Sequence, residues 1–126
     1  MNREQFIQYV AEQYGVDGEY LWANYPRYCA FRHQNNHKWF ALVMDVPKSK
    51  LGIQGAEILD VVNLKCDPIL IGSLRKDPGF FPAYHMSKAS WITVALDGSV
   101  PDSQIKMLLD MSFDATAAKI KKKEAF

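Results

Sequence analysis

The amino-acid sequence predicts an α+β fold in which helices pack on one face of a mostly antiparallel sheet of about five strands. Apolar residues repeat at helical spacing near both ends of the chain, and two pairs of strand-like segments are separated by turn-forming residues. The chain has 126 residues, of which 48% are hydrophobic and 23% are charged, as is typical of a soluble globular domain. We therefore expect a single two-layer domain over residues 1–126, with the element order α-β-β-β-α-β-β-α(α).

The first predicted element is a helix over residues 3–14. Asn2 is a suitable N-cap, and Gly15 ends the helical pattern. The apolar residues of this segment recur at a spacing of three or four, which predicts one stripe that packs on a sheet. The stripe consists of Phe6, Tyr9, Val10 and Tyr14.

A hairpin is predicted next, with strands over residues 28–33 and 37–44 joined by the turn-forming residues 34–36. A two-residue loop at Asn35 and Asn36 would set Arg32 opposite Trp39, with the guanidinium over the indole ring near solvent. On the opposite, core face, the same register pairs Phe31 with Phe40 and Cys29 with Leu42.

The chain then continues into a loop and a third strand. Residues 48–55 contain two lysines and two glycines, which predicts a mobile loop that projects as a wing between strands. Residues 57–65 are rich in Ile, Leu and Val, which favours a strand, with Ile58 or Leu59 the first inward-facing residue.

The C-terminal half predicts a helix, a second hairpin and a final helix. The dipeptide 67–68 is an Asp cap followed by proline at the first helical position. Residues 80–86 and 91–96 are the two strands of the hairpin, and the last helix starts at Pro101 and continues as a further amphipathic run through Ala118 towards Lys119. The apolar side of the middle helix is assigned to Ile69, Leu70 and Leu74. The predicted core contains Phe31, Phe40, Leu42, Leu70, Ile92, Val94, Leu108 and Leu109.

Charge is spread unevenly along a chain whose net charge is only +1. Residues 1–26 carry Arg3 against four carboxylates, a balance of −3, whereas residues 27–50 carry five Lys and Arg against Asp45 alone, a balance of +4. Such a basic segment predicts a local field that attracts anions. The alternative is an ordinary solvated strand face.

The motifs that identify many enzymes are absent. The sequence contains no Gly-rich nucleotide motif, H-E-x-x-H or G-x-S-x-G. His33 and His37 have the spacing of a helical metal pair, but the predicted hairpin puts them on opposite faces, and His85 has no evident nucleophile to activate. We expect no catalysis, no cofactor and no metal site.

Cysteine usage and hydropathy bear on location. Cys29 and Cys66 lack C-x-x-C spacing and are typical of buried thiols in a reducing compartment. No apolar stretch approaches the ~20 residues of a membrane span, and the N-terminus lacks the pattern of a signal peptide. We expect a cytoplasmic monomer without membrane partners.

Several short runs of the chain match a known protein family. The matching runs are Tyr25-Pro26, Phe31-Arg32-His33, Lys38-Trp39-Phe40-Ala41-Leu42, Met44-Asp45-Val46, Asn63-Leu64-Lys65-Cys66-Asp67-Pro68, Pro78-Gly79-Phe80-Phe81-Pro82-Ala83-Tyr84-His85-Met86 with Lys88, Trp91-Ile92 and Leu96-Asp97-Gly98. In these runs the chain closely resembles the MmcQ/YjbR family, and the similarity extends over nearly the whole chain. The resemblance implies an α+β fold similar to the frataxin-like and secretion-chaperone-like folds, with DNA bound through a double wing of two β-hairpins. Relatives often carry His immediately before the tryptophan that is Trp91 here, whereas this chain has Ser90.

Two hypotheses for function follow. The first is a DNA-binding module in which basic residues of the hairpin tips hold phosphates. Its candidate residues are Arg27, Arg32, Lys38, Lys48, Lys50 and Lys88. A sequence pI of 7.8 argues against it, because dedicated nucleic-acid-binding domains are usually more basic. Aromatic residues could stack on bases, although aromatic side chains in a small domain are mostly core; they are Trp22, Tyr25, Tyr28, Trp39, Tyr84 and Trp91.

The second hypothesis is a protein-interaction module or a pocket for a small anionic ligand, without catalysis. The pocket would be lined by Lys65, Tyr84, His85, Met86 and Trp91, together with Lys88. A frataxin-like iron role would require an acidic ridge, and the first helix offers only Glu4 and Glu12 for one.

Overall fold

Five antiparallel strands form one sheet in the order β1-β2-β3-β5-β4, and three helices pack on one of its faces. The structure is a computed structural model that describes residues 1–118. This architecture confirms the predicted fold class. The elements are α1 (Arg3–Tyr14), β1 (Cys29–Arg32), β2 (Trp39–Pro47), a 3-10 turn (Lys48–Leu51), β3 (Ile58–Lys65), α2 (Pro68–Leu74), β4 (Phe80–Pro82), β5 (Trp91–Ala95) and α3 (Asp102–Thr116).

Helix α1 begins and ends where its sequence predicts. The Asn2 side chain accepts a hydrogen bond from the Gln5 amide, and the Gln5 side chain accepts one from the Asn2 amide, so the first turn has a reciprocal cap. Gly15 follows the last turn in the left-handed conformation, with φ of 65°. Phe6 and Val10 are fully buried against the sheet.

Helix α2 is capped as predicted but presents a different side to the sheet. The Asp67 carboxylate accepts from the Ile69 amide at 2.9 Å, and Pro68 occupies the first helical position. Ile71 and Leu74 are buried, whereas Ile69 is 87% exposed and Leu70 is only half-buried. The assignment of Ile69 to the packing side was therefore wrong, whereas Leu70 does pack against the core beneath the helices while it is only half-buried. A seven-residue helix has too few turns for its apolar pattern to select one side.

Both faces of the sheet are buried. On the helix face, which carries α1 to α3, residues of all three helices pack on the strands in one cluster. On the opposite face, which we call the loop face, a second cluster is covered by aromatic side chains of the loops. Seven of the eight predicted core residues are buried, with Leu70 the exception. The buried residues of the loop-face cluster are Tyr28, Ala30, Leu42, Met44, Val46, Leu59, Val61 and Ala95.

The β1–β2 hairpin contains a β-bulge. Arg32 lies opposite Trp39 as predicted, but Phe31 lies opposite Ala41, so Phe40 is an extra residue in β2. Phe40 and Ala41 both belong to the helix-face cluster, while Trp39 contacts the loop-face cluster. The predicted pairs Phe31–Phe40 and Cys29–Leu42 were wrong: Cys29 opposes Val43, and Leu42 opposes Ala30 on the loop face.

A serine hydroxyl from α3 completes the ladder beside the bulge. Ser112 is fully buried, donates to the Phe40 carbonyl at 2.6 Å and accepts from the Lys65 amide at 2.9 Å. The regular β2–β3 pairing ends one step away, at Ala41 and Leu64. The hydroxyl therefore satisfies two backbone groups that the bulge would otherwise leave unpaired.

The predicted wing between β2 and β3 begins with a 3-10 turn. Residues Lys48–Leu51 form one 3-10 turn, Gly52 follows with φ of 78°, and the Lys48 amide donates to the Glu57 carbonyl at 3.0 Å. In β3, Leu59 is the inward residue, since Ile58 is 58% exposed.

The C-terminal elements are shorter than predicted. Strand β4 ends at Pro82, because residues 83–90 leave the sheet and cross its loop face. Helix α3 ends at Thr116, so the predicted helical continuation through Ala118 was wrong, and Lys119 lies outside the described residues. None of the helices within residues 1–118 is long and apolar enough to span a membrane.

Both edges of the sheet are covered or short. Outside β1, Glu19 exchanges two backbone hydrogen bonds with Ala30, at 2.8 and 2.9 Å. The Glu19 carboxylate also accepts from Nε and Nη2 of Arg32, at 2.7 and 2.8 Å. At the other edge, β4 has three residues and ends in proline, which has no amide hydrogen to donate.

We predict that Phe40→Ala lowers the free energy of unfolding by about 3–5 kcal/mol, because the ring is fully buried among other aromatic rings. Urea unfolding followed by circular dichroism measures the change. Ile69→Ala is the matched control at an exposed position and should change stability by about 0.5 kcal/mol or less. A loss below about 1 kcal/mol for Phe40→Ala would contradict the packing described here.

His33 should make stability depend on pH. Its ring is buried between Phe40 and Phe113, and its Nε2 lies 2.8 Å from the Thr116 hydroxyl. That hydroxyl donates to the Ser112 carbonyl, so the Nε2–H of a neutral imidazole is the donor to Thr116. Burial lowers the pKa of His33 in spite of a hydrogen bond to the Phe113 backbone.

The unfolded chain therefore takes up a proton on His33 near pH 6.5, above the pH at which the folded chain does. We predict that stability falls as pH drops below about 6.5, and that His33→Gln weakens this dependence. Urea midpoints at several pH values test this. His37→Gln, at an exposed position, should keep the full pH dependence of the urea midpoint. An equal pH dependence in the two variants would contradict the assignment to His33.

Candidate functional site

The loop face of the sheet carries a cavity of about 350 Å³ whose walls are mostly aromatic. Its residues come from the segment before β1, from β2 and from the segment 83–90 that follows β4. They are Trp22, Tyr25, Tyr28, Trp39, Leu42, Met44, His85 and Met86. We call this cavity the aromatic pocket.

Local backbone geometry gathers three of the rings. The Tyr25 amide donates to the Trp22 carbonyl at 3.3 Å, and the Tyr28 amide donates to the Tyr25 carbonyl at 3.0 Å. Two successive turns thus repeat every three residues, which brings Trp22, Tyr25 and Tyr28 to the same side of the segment.

The rings of the aromatic pocket contact one another. Trp22 meets Trp39 with centroids 5.5 Å apart at 76° and meets Tyr28 at 6.0 Å and 69°, both edge-to-face. Tyr25 stacks on Tyr28 at 4.6 Å and 23° and remains 51% exposed. Such contacts hold the rings in place before any ligand arrives. Burial raises the pKa of Tyr28 to about 12, so its hydroxyl stays protonated near neutral pH.

The bulge in β2 explains why one strand supplies three lining residues. Leu42 and Met44 face the pocket by ordinary alternation along β2, and the same alternation would turn Trp39 towards the helices. The extra residue at Phe40 reverses the last step, so Trp39 joins Leu42 and Met44 on the loop face.

A closed ring of buried hydrogen bonds fixes the segment that carries His85 and Met86. Asn63 of β3 donates from Nδ2 to the Tyr84 carbonyl at 2.8 Å, and the Tyr84 amide donates to the Thr93 hydroxyl at 2.9 Å. The Thr93 hydroxyl in turn donates to Asn63 Oδ1. Asn63 and Thr93 are both fully buried, so the sheet holds the Tyr84 backbone rigidly.

His85 stands at the rim of the pocket in a left-handed conformation, with φ of 64°. This conformation costs a non-glycine residue on the order of 1 kcal/mol, and the neighbouring hydrogen-bond ring stabilises it. The imidazole packs against the Tyr84 ring, with centroids 3.9 Å apart.

Three of the six predicted nucleic-acid-binding residues have carboxylate partners. Arg27 lies 3.7 Å from Asp45 and 3.4 Å from Asp60, which face each other across β2 and β3. Lys48 lies 3.6 Å from Glu57. Arg32 hydrogen-bonds to Glu19 in place of the predicted stacking on Trp39.

The other three, Lys38, Lys50 and Lys88, are exposed and have no carboxylate within 4.0 Å among residues 1–118. Lys38 precedes Trp39 and Lys88 follows Met86 by two residues, so both are close in sequence to residues of the aromatic pocket, although neither lines it. Lys50 lies beyond Pro47, at the opposite end of β2 from Lys38. The strand between Trp39 and Pro47 is roughly 26 Å long, because a strand rises about 3.3 Å per residue.

The residues of the predicted ligand pocket lie in two separate places in the structure. His85 and Met86 line the aromatic pocket, and Tyr84 supports them. Lys65 and Trp91 instead pair with each other, with the ammonium 5.9 Å from the ring centroid. The sequence indicates Trp22, Tyr25, Tyr28 and Trp39 as candidate stacking residues but not that they converge, and Met44 was not among the predicted site residues.

The YjbR family model matches residues 11–115 of the chain. The chain belongs to the YjbR family. Among YjbR relatives, YyaQ of Bacillus subtilis is 39% identical over 116 residues, which cover 92% of this chain and 98% of YyaQ. YjbR of Escherichia coli K12 is 44% identical over 62 residues, 48% of this chain and 52% of that protein. The resemblance found in the sequence is thereby confirmed.

Solved structures of similar proteins share the YjbR fold described above. A crystal structure of a Pseudomonas syringae protein superimposes with a TM-score of 0.91 at 48% identity, and covers 93% of this chain and all of that one. A Deinococcus radiodurans crystal structure superimposes with a TM-score of 0.72 at 23% identity, over 98% of this chain and 84% of that one. The second similarity concerns the fold alone.

We predict that Thr93→Val destabilises the protein by about 1–3 kcal/mol, because the isosteric side chain leaves the Tyr84 amide and Asn63 Oδ1 without partners. Hydrogen exchange of the Tyr84 amide should accelerate as the segment loosens. Thr93→Ser keeps the hydroxyl and is the control, which should retain slow exchange at Tyr84. Unchanged exchange in Thr93→Val would show that these hydrogen bonds do not hold the segment.

Proposed function

We propose that this protein binds single-stranded DNA by stacking an unpaired base in the aromatic pocket, with Lys38 and Lys88 holding the adjacent phosphates. The observation that carries the proposal is the pocket of four aromatic side chains. It is supported by two exposed lysines, without carboxylate partners among residues 1–118, that are close in sequence to Trp39 and Met86. The family resemblance, which implies DNA binding, favours a nucleic acid as the ligand. The proposal assigns binding to the pocket and no catalytic step.

Stacking fits the chemistry of the pocket walls. Tyr25 exposes half of its surface beside Trp22 and Trp39, and the cavity of about 350 Å³ has room for one heterocyclic ring. Base–aromatic stacking contributes about 1–3 kcal/mol per base and tolerates any base sequence. A base in a duplex has both faces covered by its neighbours, so the pocket suits an unpaired base.

The distribution of free charge also favours a single strand over a duplex held by two wings. Of the predicted wing residues, Arg27, Arg32 and Lys48 are paired with carboxylates. Lys50 is separated from Lys38 by the length of β2. Two lysines that are close in sequence to the pocket residues match a short stretch of backbone around one base.

A free nucleotide or another small planar anion is a second candidate ligand. It is favoured by the size of the cavity, which accommodates one ring system, and by the small number of free cations around it. This candidate corresponds to the small-ligand hypothesis drawn from the sequence, with the ligand moved from Lys65 and Trp91 to the aromatic pocket.

We predict that Trp39→Leu weakens binding of a fluorescein-labelled oligothymidylate by about tenfold or more, since one stacking partner is lost. Fluorescence anisotropy at low salt measures the change. Trp91→Leu is the matched control: it removes a tryptophan that lies outside the pocket and should change affinity by less than about twofold. Equal losses in the two variants, or no binding by the unmodified protein, would reject the proposal.

The same measurement separates the proposed surface from the wings and from a small ligand. Lys38→Ala with Lys88→Ala should flatten the slope of log K against log[salt] by about 1.4, because each phosphate contact to a single strand contributes about 0.7. Lys48→Ala with Lys50→Ala should leave the slope unchanged. Tighter binding of duplex than of single strand would favour the wings, and thymidine monophosphate that binds as tightly as the oligonucleotide would favour the small ligand.

A further inference from the structure

Arg3 is a buried cation with an unsatisfied hydrogen-bond donor. The residue is 5% exposed, and its Nη1 is buried with no hydrogen-bond partner. No carboxylate of residues 1–118 lies within 4.0 Å of its guanidinium. A buried charge without a partner is unfavourable, because it loses its hydration and gains nothing in return.

The neighbouring thiol does not serve as the counterion. The Arg3 charge acts on Cys29 and by itself lowers the pKa of that thiol, but burial has the larger effect and raises the pKa overall. Cys29 is fully buried and stays in its neutral form near pH 7. Arg3 Nη1 therefore remains without a hydrogen-bond partner within the described part of the chain.

Arg3 lines a groove of about 490 Å³ between α1 and the segment that leads to β1. Arg27 and Tyr20 also line this groove, and Tyr20 is exposed, with its phenol close enough to Cys29 to lower the pKa of that thiol by hydrogen bonding. Glu4 contributes a single carboxylate to the lining. The contacts of Arg27 with Asp45 and Asp60, at 3.7 and 3.4 Å, are long for charged hydrogen bonds, so its donors are not saturated.

We propose that this groove binds an inorganic oxyanion of the phosphate type, with Arg3 as the buried anchor and Arg27 and Tyr20 as further donors. Two guanidinium groups offer several N–H donors in a planar arrangement that suits a tetrahedral oxyanion. The bound anion would satisfy Arg3 and join α1 to the segment before β1. No residue of the aromatic pocket lines the groove, so the inference stands apart from the proposed function.

The first test is an NMR titration of the ¹⁵N-labelled full chain with sodium phosphate against sodium chloride at equal ionic strength. We expect saturable shifts of the Arg3 Nε–Hε signal and of the Tyr20 and Arg27 amides with phosphate only. Sodium acetate forms a third arm, and saturation with acetate but not with phosphate would overturn the proposal in favour of a carboxylate. Shifts that do not saturate, or that occur elsewhere on the chain, would overturn it as well.

The second test uses thermal unfolding of Arg3→Met. Arg75→Met is the control, at an exposed arginine that follows the last turn of α2 and does not line the groove. Phosphate at about ten times its Kd should raise the Tm of the unmodified protein and of Arg75→Met by about 5 °C relative to chloride. Arg3→Met should lose this increment, and an equal increment in all three proteins would reject the site. If Arg3→Met does not fold, Arg27→Gln replaces it, with a reduced increment expected, and the titration above decides the proposal by itself.

Discussion

The backbone geometry at Phe40 determines how the two faces of the sheet are filled. One extra residue in β2 lets Phe40 enter the core under the helices while Trp39 turns to the opposite face. The Ser112 hydroxyl stabilises the bulge, because it donates to the Phe40 carbonyl and accepts from the Lys65 amide. A helix on one side of the sheet thus stabilises the strand geometry that the aromatic pocket on the other side requires.

Much of the fold could be predicted because its determinants are local. The N-cap at Asn2, the glycine at position 15 and the Asp67-Pro68 start of α2 act within a few residues. The hairpin register was predicted correctly near the tip, where Arg32 opposes Trp39, and was wrong from Phe31 onward. Every residue from Trp39 to Met44 is apolar, so no alternation of polar and apolar positions reveals a bulge.

The candidate site was less predictable because it depends on pairings across the fold. Whether an arginine is free depends on carboxylates distant in sequence: Arg32 is paired with Glu19, and Arg27 with Asp60. The aromatic residues were visible in the sequence, but their convergence depends on the turns at 22–28 and on the bulge. The buried ring formed by Asn63, Thr93 and the Tyr84 backbone has no local sequence signal, since its members lie on separate strands and a loop.

The covered edges of the sheet restrict how this molecule associates with others. Glu19 occupies the outward-facing backbone groups of Ala30, and the opposite edge consists of a three-residue strand that ends in Pro82. Intermolecular β-pairing needs a row of free amide and carbonyl groups, and neither edge supplies one. Growth of the sheet into a filament through the edges described within residues 1–118 is therefore disfavoured.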